Sequence, residues 1–221
     1  MSAPTLLVVA KAPVAGLAKT RLAATIGDVA AARIAAAALL DTLEVATDLG
    51  WPLVIAMTGD IGRAEYGNEI AEAIVRHRVV DQRGQGFAER LVHAHAAADA
   101  GRGVVQVGMD TPQLQVVDLR VAGEALQTHG AALGMATDGG WWALAVRTHG
   151  LARALLDVPM STEETGTLTR VALERDGTSV ARLATMTDVD VWADALAVAQ
   201  LAPETRFAIE LSKSIVLMEV S

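Results

Sequence analysis

The sequence has no cysteine, few aromatic residues and a deficit of positive charge. Without cysteine it can form neither disulfide bonds nor thiolate metal sites, which is compatible with a reducing compartment. Aromatic residues make up only 3% of the 221 residues, so alanine, valine and leucine must fill the core. The formal net charge of −8 disfavours non-specific binding to nucleic acid or to anionic membranes.

Long apolar runs are also missing. No stretch is long enough to span a bilayer, and the amino terminus lacks the basic region and the apolar run of a signal peptide. We therefore expect a cytoplasmic protein with no membrane partner.

Apolar residues are nevertheless abundant, at 52% against 20% charged, which favours a folded chain with a substantial core. Short apolar runs, such as Leu6–Ala10 and Leu53–Met57, alternate with helical patterns. This alternation predicts an α/β fold of three αβα layers, in which helices cover both faces of a mostly parallel, twisted sheet. Because no linker or repeat is visible, residues 1–203 are predicted to form a single domain.

The carboxyl-terminal tail, residues 204–221, falls outside this alternation. Its apolar residues would share one face of a strand, which could pair with a sheet edge or with a second subunit in a homodimer. The alternative is a terminal element folded onto its own chain. These residues are Phe207, Ile209, Leu211, Ile215 and Leu217.

The first loop, in the stretch VVAKAPVAGLAKTRL, places Lys11, Lys19 and Arg21 directly after the first predicted strand. Ligands of open α/β sheets bind at the carboxyl ends of the strands, so these cations could converge on a polyanion. Gly16 would allow close approach of the backbone. The alternative is a solvated basic turn that offsets the acidic surface.

The loop is not a P-loop, because Pro13 and Ala18 occupy the positions that this motif reserves for glycine. A dinucleotide-binding fold is also disfavoured, since G-x-G-x-x-G is absent.

Two later segments of the sequence contain candidate metal-binding carboxylates. Asp110, in GMDTPQL, comes just after a predicted strand, where it could hold a hard cation or instead form an Asx-turn ahead of Pro112. Asp188 and Asp190 precede the closing helix. Either could be a second metal ligand, or either could cap that helix.

The segment TDGGWWALAV predicts two strands around a glycine turn. Asp138 could hold a substrate hydroxyl, Gly139 and Gly140 would give a ligand close access, and Trp141 or Trp142 could offer a flat apolar face. The alternative is a tight turn feeding a strand that buries one tryptophan.

In QRGQGFAERL, Gly84 and Gly86 open a helix whose first N–H groups could hold an anion or a polar base edge. His93 and His95 follow on the same helix. Two residues apart they diverge, so they do not predict a metal pair.

These five segments, in this order, resemble small bacterial proteins of the glycosyltransferase-A-like fold. Members are often labelled glycosyltransferases of the arsenosugar-biosynthesis type, and the fold is shared with molybdenum-cofactor and phospholactate guanylyltransferases. The resemblance extends from about Leu6 to Leu196. Trp141 and Trp142 depart from it, since they stand where the family usually has tyrosine.

The resemblance implies a role for each matching residue. It implies phosphate contacts from the first loop, a metal-binding acid after the central strand, an acceptor-side turn and a second acid near the end. The residues are, in that order, Lys11, Lys19 and Arg21; Asp110; Asp138, Gly139 and Gly140; and Asp190.

We therefore expect a transferase that uses an activated nucleotide with Mg²⁺ or Mn²⁺, with Lys19, Arg21 and Asp110 as catalytic residues. The basic loop narrowly favours nucleotidyl transfer from a nucleoside triphosphate to a small-molecule acceptor, with release of pyrophosphate. The family label favours glycosyl transfer from a nucleotide-sugar. A nucleotide-binding protein without turnover is a third hypothesis.

Overall fold

The computed structural model of the chain describes residues 3–220. These residues form seven strands and eight α-helices. The strands are β1 (Thr5–Lys11), β2 (Leu53–Thr58), β3 (Arg78–Asp81), β4 (Val104–Val107), β5 (Ala131–Met135), β6 (Trp141–Val146) and β7 (Val180–Arg182). The helices are α1 (Thr20–Ile26), α2 (Asp28–Asp48), α3 (Gly67–Ile74), α4 (Phe87–Ala98), α5 (Val116–Ala125), α6 (Thr165–Glu174), α7 (Trp192–Leu201) and α8 (Arg206–Val220).

The strands form one sheet in the order β3-β2-β1-β4-β6-β5-β7. Within the described residues, β6 alone runs against its neighbours, and the remaining pairs are parallel. The antiparallel pair β5–β6 is the predicted hairpin around the glycine turn. The strand order brings β1 beside β4, so the first loop and Asp110 follow adjacent parallel strands.

Helices cover both faces of the sheet, as predicted. On one face, α2, α3 and α5 contribute Leu39, Ile70 and Leu119 to the larger apolar core. On the other face, Leu91 of α4 packs with Leu7 and Leu144 of the sheet. Alanine dominates the buried face of α2, which lets this long helix lie close to the strands. The three-layer α/β prediction is confirmed.

The carboxyl-terminal tail corrects one expectation, because it forms helix α8 and not an added strand. Phe207 and Leu211 are buried against Ile34 of α2. The side chain of Leu217 lies outside the described part of the chain. Residues 207, 211 and 215 are spaced by four, so an apolar pattern that suits a strand face also suits a helix face. The tail therefore folds onto its own chain, which was the alternative expectation from the sequence.

The amino end of α8 is held by the carboxylate of Asp41, which lies on α2. This carboxylate accepts the backbone N–H groups of Arg206 at 3.0 Å and Phe207 at 2.9 Å. It thereby pairs two of the N–H groups that every helix leaves free at its start. Between residues 3 and 220, no helix has both the length and the apolar character needed to cross a membrane.

Candidate nucleotide and metal site

A cleft of about 900 Å³ opens at the carboxyl ends of β1 and β4. Most of the residues singled out from the sequence line it. These are Lys11, Lys19, Arg21, Asp110, Asp138, Gly140, Trp141 and Asp190. Residues far apart in sequence therefore meet because the sheet order places their strands side by side.

Lys19 and Asp110 are in direct contact in this cleft. The Nζ atom of Lys19 lies 2.8 Å from Oδ1 of Asp110 and also donates to the carbonyl oxygen of Val189. Lys19 immediately precedes α1 and has a left-handed backbone, with φ 49° and ψ 48°. A side chain is seldom tolerated in this conformation, so the turn holds Lys19 there at some cost. The cation of the first loop and the acid after β4 share one pocket.

The other two cations of the first loop reach the same cleft. Nη1 of Arg21, on α1, lies 2.5 Å from Oδ2 of Asp190. Nζ of Lys11 donates to the carbonyl oxygen of Leu17 at 2.8 Å, across its own loop. Because the Arg21 side chain is 74% exposed, its ion pair is screened by water and leaves the guanidinium available to a ligand.

Asp188 is a half-buried acid of the cleft. Burial raises its pKa to about 7, and repulsion from the carboxylates of Asp110 and Asp138 adds to this effect. The attraction of Lys19 opposes the shift but does not cancel it. A carboxyl group held among other acids in this way would gain from a nearby cation.

The helix-capping alternative for Asp188 and Asp190 is wrong. The start of α7 is capped by Asp194, whose carboxylate accepts the backbone N–H groups of Asp190 at 3.1 Å and Val191 at 3.0 Å. Both earlier acids are therefore left facing the cleft. Asp190 is paired with Arg21, whereas Asp188 lies close enough to Asp110 to be repelled by it, so Asp188 is better placed than Asp190 to share a cation with Asp110.

The donor set suits a hard divalent cation, because carboxylate oxygens are the ligands that Mg²⁺ and Mn²⁺ prefer. In the part of the chain that the structure describes, however, no three acidic or histidine side chains are gathered closely enough to enclose a metal. Asp110 and Asp188 would supply part of the shell, and a bound substrate would have to supply the rest.

Four of the predicted glycines are absent from the described cleft lining, namely Gly16, Gly84, Gly86 and Gly139. Gly139 has φ +88°, and a Cβ atom there would meet the Glu163 backbone oxygen at 1.9 Å. Gly84 has φ +136° and packs against Glu89. At both positions glycine is needed to form a tight turn, so these residues shape the walls without offering a ligand contact of their own.

Three of the few aromatic residues lie around this cleft. Trp142 is 3% exposed and donates its Nε1–H to the carbonyl oxygen of Ala184, so it is the tryptophan expected in the core. Trp141 is half-buried at the cleft wall, and Phe87, at the start of α4, is 48% exposed there.

The sequence reasoning missed Phe87 and two glutamines, Gln82 and Gln106, which also line the cleft. Gln106 carried a usable signal, since it is a polar residue inside the fully buried strand VVQV. Buried polar side chains need partners, and such a residue points either to a polar neighbour or to a ligand.

The comparisons with known proteins agree with this architecture. Residues 39–162, more than half of the chain, match a family described as an uncharacterized protein conserved in bacteria, DUF2064. The chain belongs to the DUF2064 family. No curated protein matches it.

Solved structures show which fold this DUF2064 member has. A candidate nucleotide-diphospho-sugar transferase from Desulfovibrio desulfuricans G20 superposes with a TM-score of 0.86 at 24% identity, covering 99% of this chain and 98% of that one. Rv0371C from Mycobacterium tuberculosis H37Rv, in complex with manganese, gives 0.55 at 20% identity and covers 89% and 98%. CMP:2-keto-3-deoxy-manno-octonic acid synthetase, complexed with CTP, gives 0.55 at 12% and covers 91% and 99%. The glycosyltransferase-A-like fold is confirmed.

Proposed function

We propose that this DUF2064 member is a transferase that uses an activated nucleotide and a divalent cation, and that it transfers a nucleotidyl group. The contact between Lys19 and Asp110 carries the proposal. It places an ammonium group, which can bind phosphate, beside a carboxylate, which can bind a metal ion. The structural neighbours support it, since those of the same fold include a complex with CTP and a complex with manganese.

In this reaction an acceptor phosphate oxygen attacks the α-phosphorus of a nucleoside triphosphate. The bond between the α-phosphorus and its bridging oxygen breaks, and pyrophosphate leaves. Negative charge builds on the departing oxygens, and fixed cations stabilise it. Lys19 and Arg21 are the side chains we assign to these oxygens, with Lys11 at the edge of the same cleft.

Asp110 and Asp188 would hold the divalent cation. When bound, this cation neutralises phosphate charge and polarises the phosphoryl group. Lys19 contacts Asp110 in this structure, and a cation on that carboxylate would free the ammonium group to bind the phosphates. Asp138, in the turn between β5 and β6, and Trp141, at the start of β6, also line the cleft and are assigned to the acceptor.

Glycosyl transfer from a nucleotide-sugar is the second candidate. Its support is the candidate nucleotide-diphospho-sugar transferase, which superposes along almost the whole chain. The same cations would then contact the diphosphate of the leaving nucleotide. The three cations of the first loop suit a triphosphate slightly better than a diphosphate.

One assay separates these possibilities. The protein is incubated with each nucleoside triphosphate or nucleotide-sugar, a panel of small phosphorylated and hydroxylated acceptors, and Mg²⁺ or Mn²⁺. Pyrophosphate release supports nucleotidyl transfer, and nucleoside diphosphate release supports glycosyl transfer. Thermal stabilisation by a nucleotide without any product would favour the binding protein without turnover. If no nucleotide either reacts or stabilises the protein, the proposal fails.

A further inference from the structure

The proposed chemistry leaves unused a buried polar pair beneath the cleft. His95, on α4, is fully buried, and its Nε2 atom lies 2.7 Å from Oε1 of Gln106 on the central strand β4. Burial lowers the pKa of His95 to about 4, so the imidazole is neutral near pH 7. A neutral imidazole has one N–H donor, and the position of this donor decides which way the glutamine amide faces.

The donor belongs on Nε2. Nδ1 of His95 is buried without a partner among the described residues, and an unpaired N–H there would cost more than an unpaired lone pair. Nε2–H therefore donates to Oε1 of Gln106, which fixes the amide. The Gln106 nitrogen has no hydrogen-bond partner within residues 3–220, while Gln106 itself lines the cleft. Gln106 thus presents a fixed donor.

Gln82, just beyond β3, is oriented so that its amide oxygen, and not its amide nitrogen, remains unused by the described residues. Its Nε2 atom donates to the carbonyl oxygens of Ala10 at 2.8 Å and Ala56 at 2.9 Å, at the ends of β1 and β2. Two carbonyl acceptors require the amide nitrogen at this position, so the orientation is unambiguous. The oxygen of Gln82 is left as an acceptor, and Gln82 also lines the cleft.

Phe87 provides a flat surface in the same cleft. It opens α4, and almost half of this apolar side chain is in solvent. Exposed aromatic rings beside fixed hydrogen-bonding groups are typical of sites that bind a planar heterocycle. The first-loop cations lie in the same cleft, where the phosphates of such a ligand would be held.

Resting on the proposed function, we propose that Gln82, Gln106 and Phe87 select the nucleobase. The base stacks on Phe87 and offers one acceptor to Gln106 and one N–H donor to Gln82. His95 is a positioning residue, which sets the direction of the Gln106 amide without touching the ligand. A site built around fixed hydrogen bonds discriminates strongly, because a mismatched ligand leaves its polar groups unpaired.

The test measures dissociation constants by calorimetry for ATP, GTP, CTP and UTP with Mg²⁺, and for inorganic tripolyphosphate as a probe without a base. We expect the wild type to prefer one base by about tenfold or more. Gln106→Glu replaces the donor by an acceptor at constant size and should remove that preference, while tripolyphosphate binding changes less than about threefold. Gln127→Glu, the same change on an exposed residue outside the cleft, should leave the preference intact.

His95 needs a readout that a general packing role would not move. His95→Phe should reduce the ratio of dissociation constants between preferred and disfavoured bases, and His95→Gln, which keeps an N–H donor, should restore part of it. Retention of the wild-type ratio in folded Gln106→Glu or His95→Phe would overturn this inference and leave the proposed function standing. Failure of every triphosphate and of tripolyphosphate to bind the wild type would instead overturn both.

Discussion

Two cavities of nearly equal volume differ in what their polar groups do. The second, a helix groove of about 890 Å³, lies between α2, α3 and α8. There the Tyr66 hydroxyl donates to Glu210 at 2.9 Å, Lys213 pairs with Glu210 at 2.7 Å, and Arg206 pairs with Glu44. The Tyr66 and Arg206 contacts join α8 to its neighbours and the Lys213 pair lies within α8, so these contacts account for the charges without a ligand.

The cleft differs because buried or half-buried polar side chains face it with atoms that no described protein group occupies. Within residues 3–220, Asp188 forms no ion pair, and Gln82 and Gln106 each keep one amide atom unused. Charged groups of the helix groove that have no ion-pair partner among the described residues, such as Glu69 and Arg76, are instead exposed to water. Cavity size is therefore a poor guide to function here, and unpaired buried groups are a better one.

The largest expected effect is on turnover. Asp110→Asn should lower turnover about a hundred- to thousandfold, because it removes charge from the proposed cation site while keeping an oxygen that can accept from Lys19. Steady-state product release measures this, with circular dichroism to check the fold. Asp157→Asn, an acid in an exposed ion pair with Arg175, is the matched control and should retain full activity.

Arg21→Ala should lower turnover about tenfold or more and change stability by less than about 1 kcal/mol, since exposed ion pairs contribute little. Arg175→Ala removes an arginine from another exposed pair, outside the cleft, and should leave turnover unchanged with an equally small effect on stability. Unchanged turnover of Arg21→Ala would refute the assigned phosphate contact.

In the helix-groove region the effect should fall on stability. Asp41→Ala leaves two N–H groups at the start of α8 without their acceptor, which should cost about 1–3 kcal/mol in the free energy of unfolding. Urea denaturation measures this cost, and Asp48→Ala, an exposed residue of the same helix, is the control. A loss of turnover per folded molecule in Asp41→Ala would break the distinction between the two regions.

The last effect concerns pH. The pKa of His95 is about 4 in the folded protein, against 6.5 as its ordinary value, chiefly because of burial; nearby Asp99 raises it and His149 lowers it. Between pH 6.5 and pH 4 the unfolded chain binds a proton that the folded protein does not bind, so stability falls as pH falls. The contribution approaches about 1.4 kcal/mol per pH unit.

Denaturation curves at pH 7 and pH 5 check this value. His95→Gln, which does not titrate, should show a smaller loss of stability between the two pH values than the wild type shows. His93→Gln changes an exposed histidine of the same helix and should follow the wild type. Parallel behaviour of wild type and His95→Gln would contradict the buried, neutral state of His95.

The fold could be predicted from the sequence because alternation of strands and helices is a local pattern. Most of the site also could be, since Lys19 and Asp110 each follow a predicted strand and such ends gather in open sheets. The tail could not, because residues 207, 211 and 215 fit a strand face and a helix face equally well. Packing on α2 decided between them.

The pairing of His95 with Gln106 was beyond sequence reasoning for a different reason. Their contact depends on how α4 packs across β4, and no spacing rule links a helix residue to a strand residue eleven positions later. The choice between Asp188 and Asp190 as a second metal ligand, which the sequence leaves open, has a similar origin. The two acids differ only in which side chains approach them, Arg21 in one case and the acidic interior of the cleft in the other.

The central claim is that a cation and a polyphosphate share the pocket of Lys19 and Asp110. A crystal structure with Mn²⁺ and a non-hydrolysable nucleoside triphosphate tests this claim most directly. The anomalous signal of manganese locates the metal without reference to the protein. The account predicts a peak within bonding distance of Asp110, with phosphate oxygens at Lys19 and Arg21. Manganese and nucleotide bound elsewhere, in the helix groove for example, would contradict it.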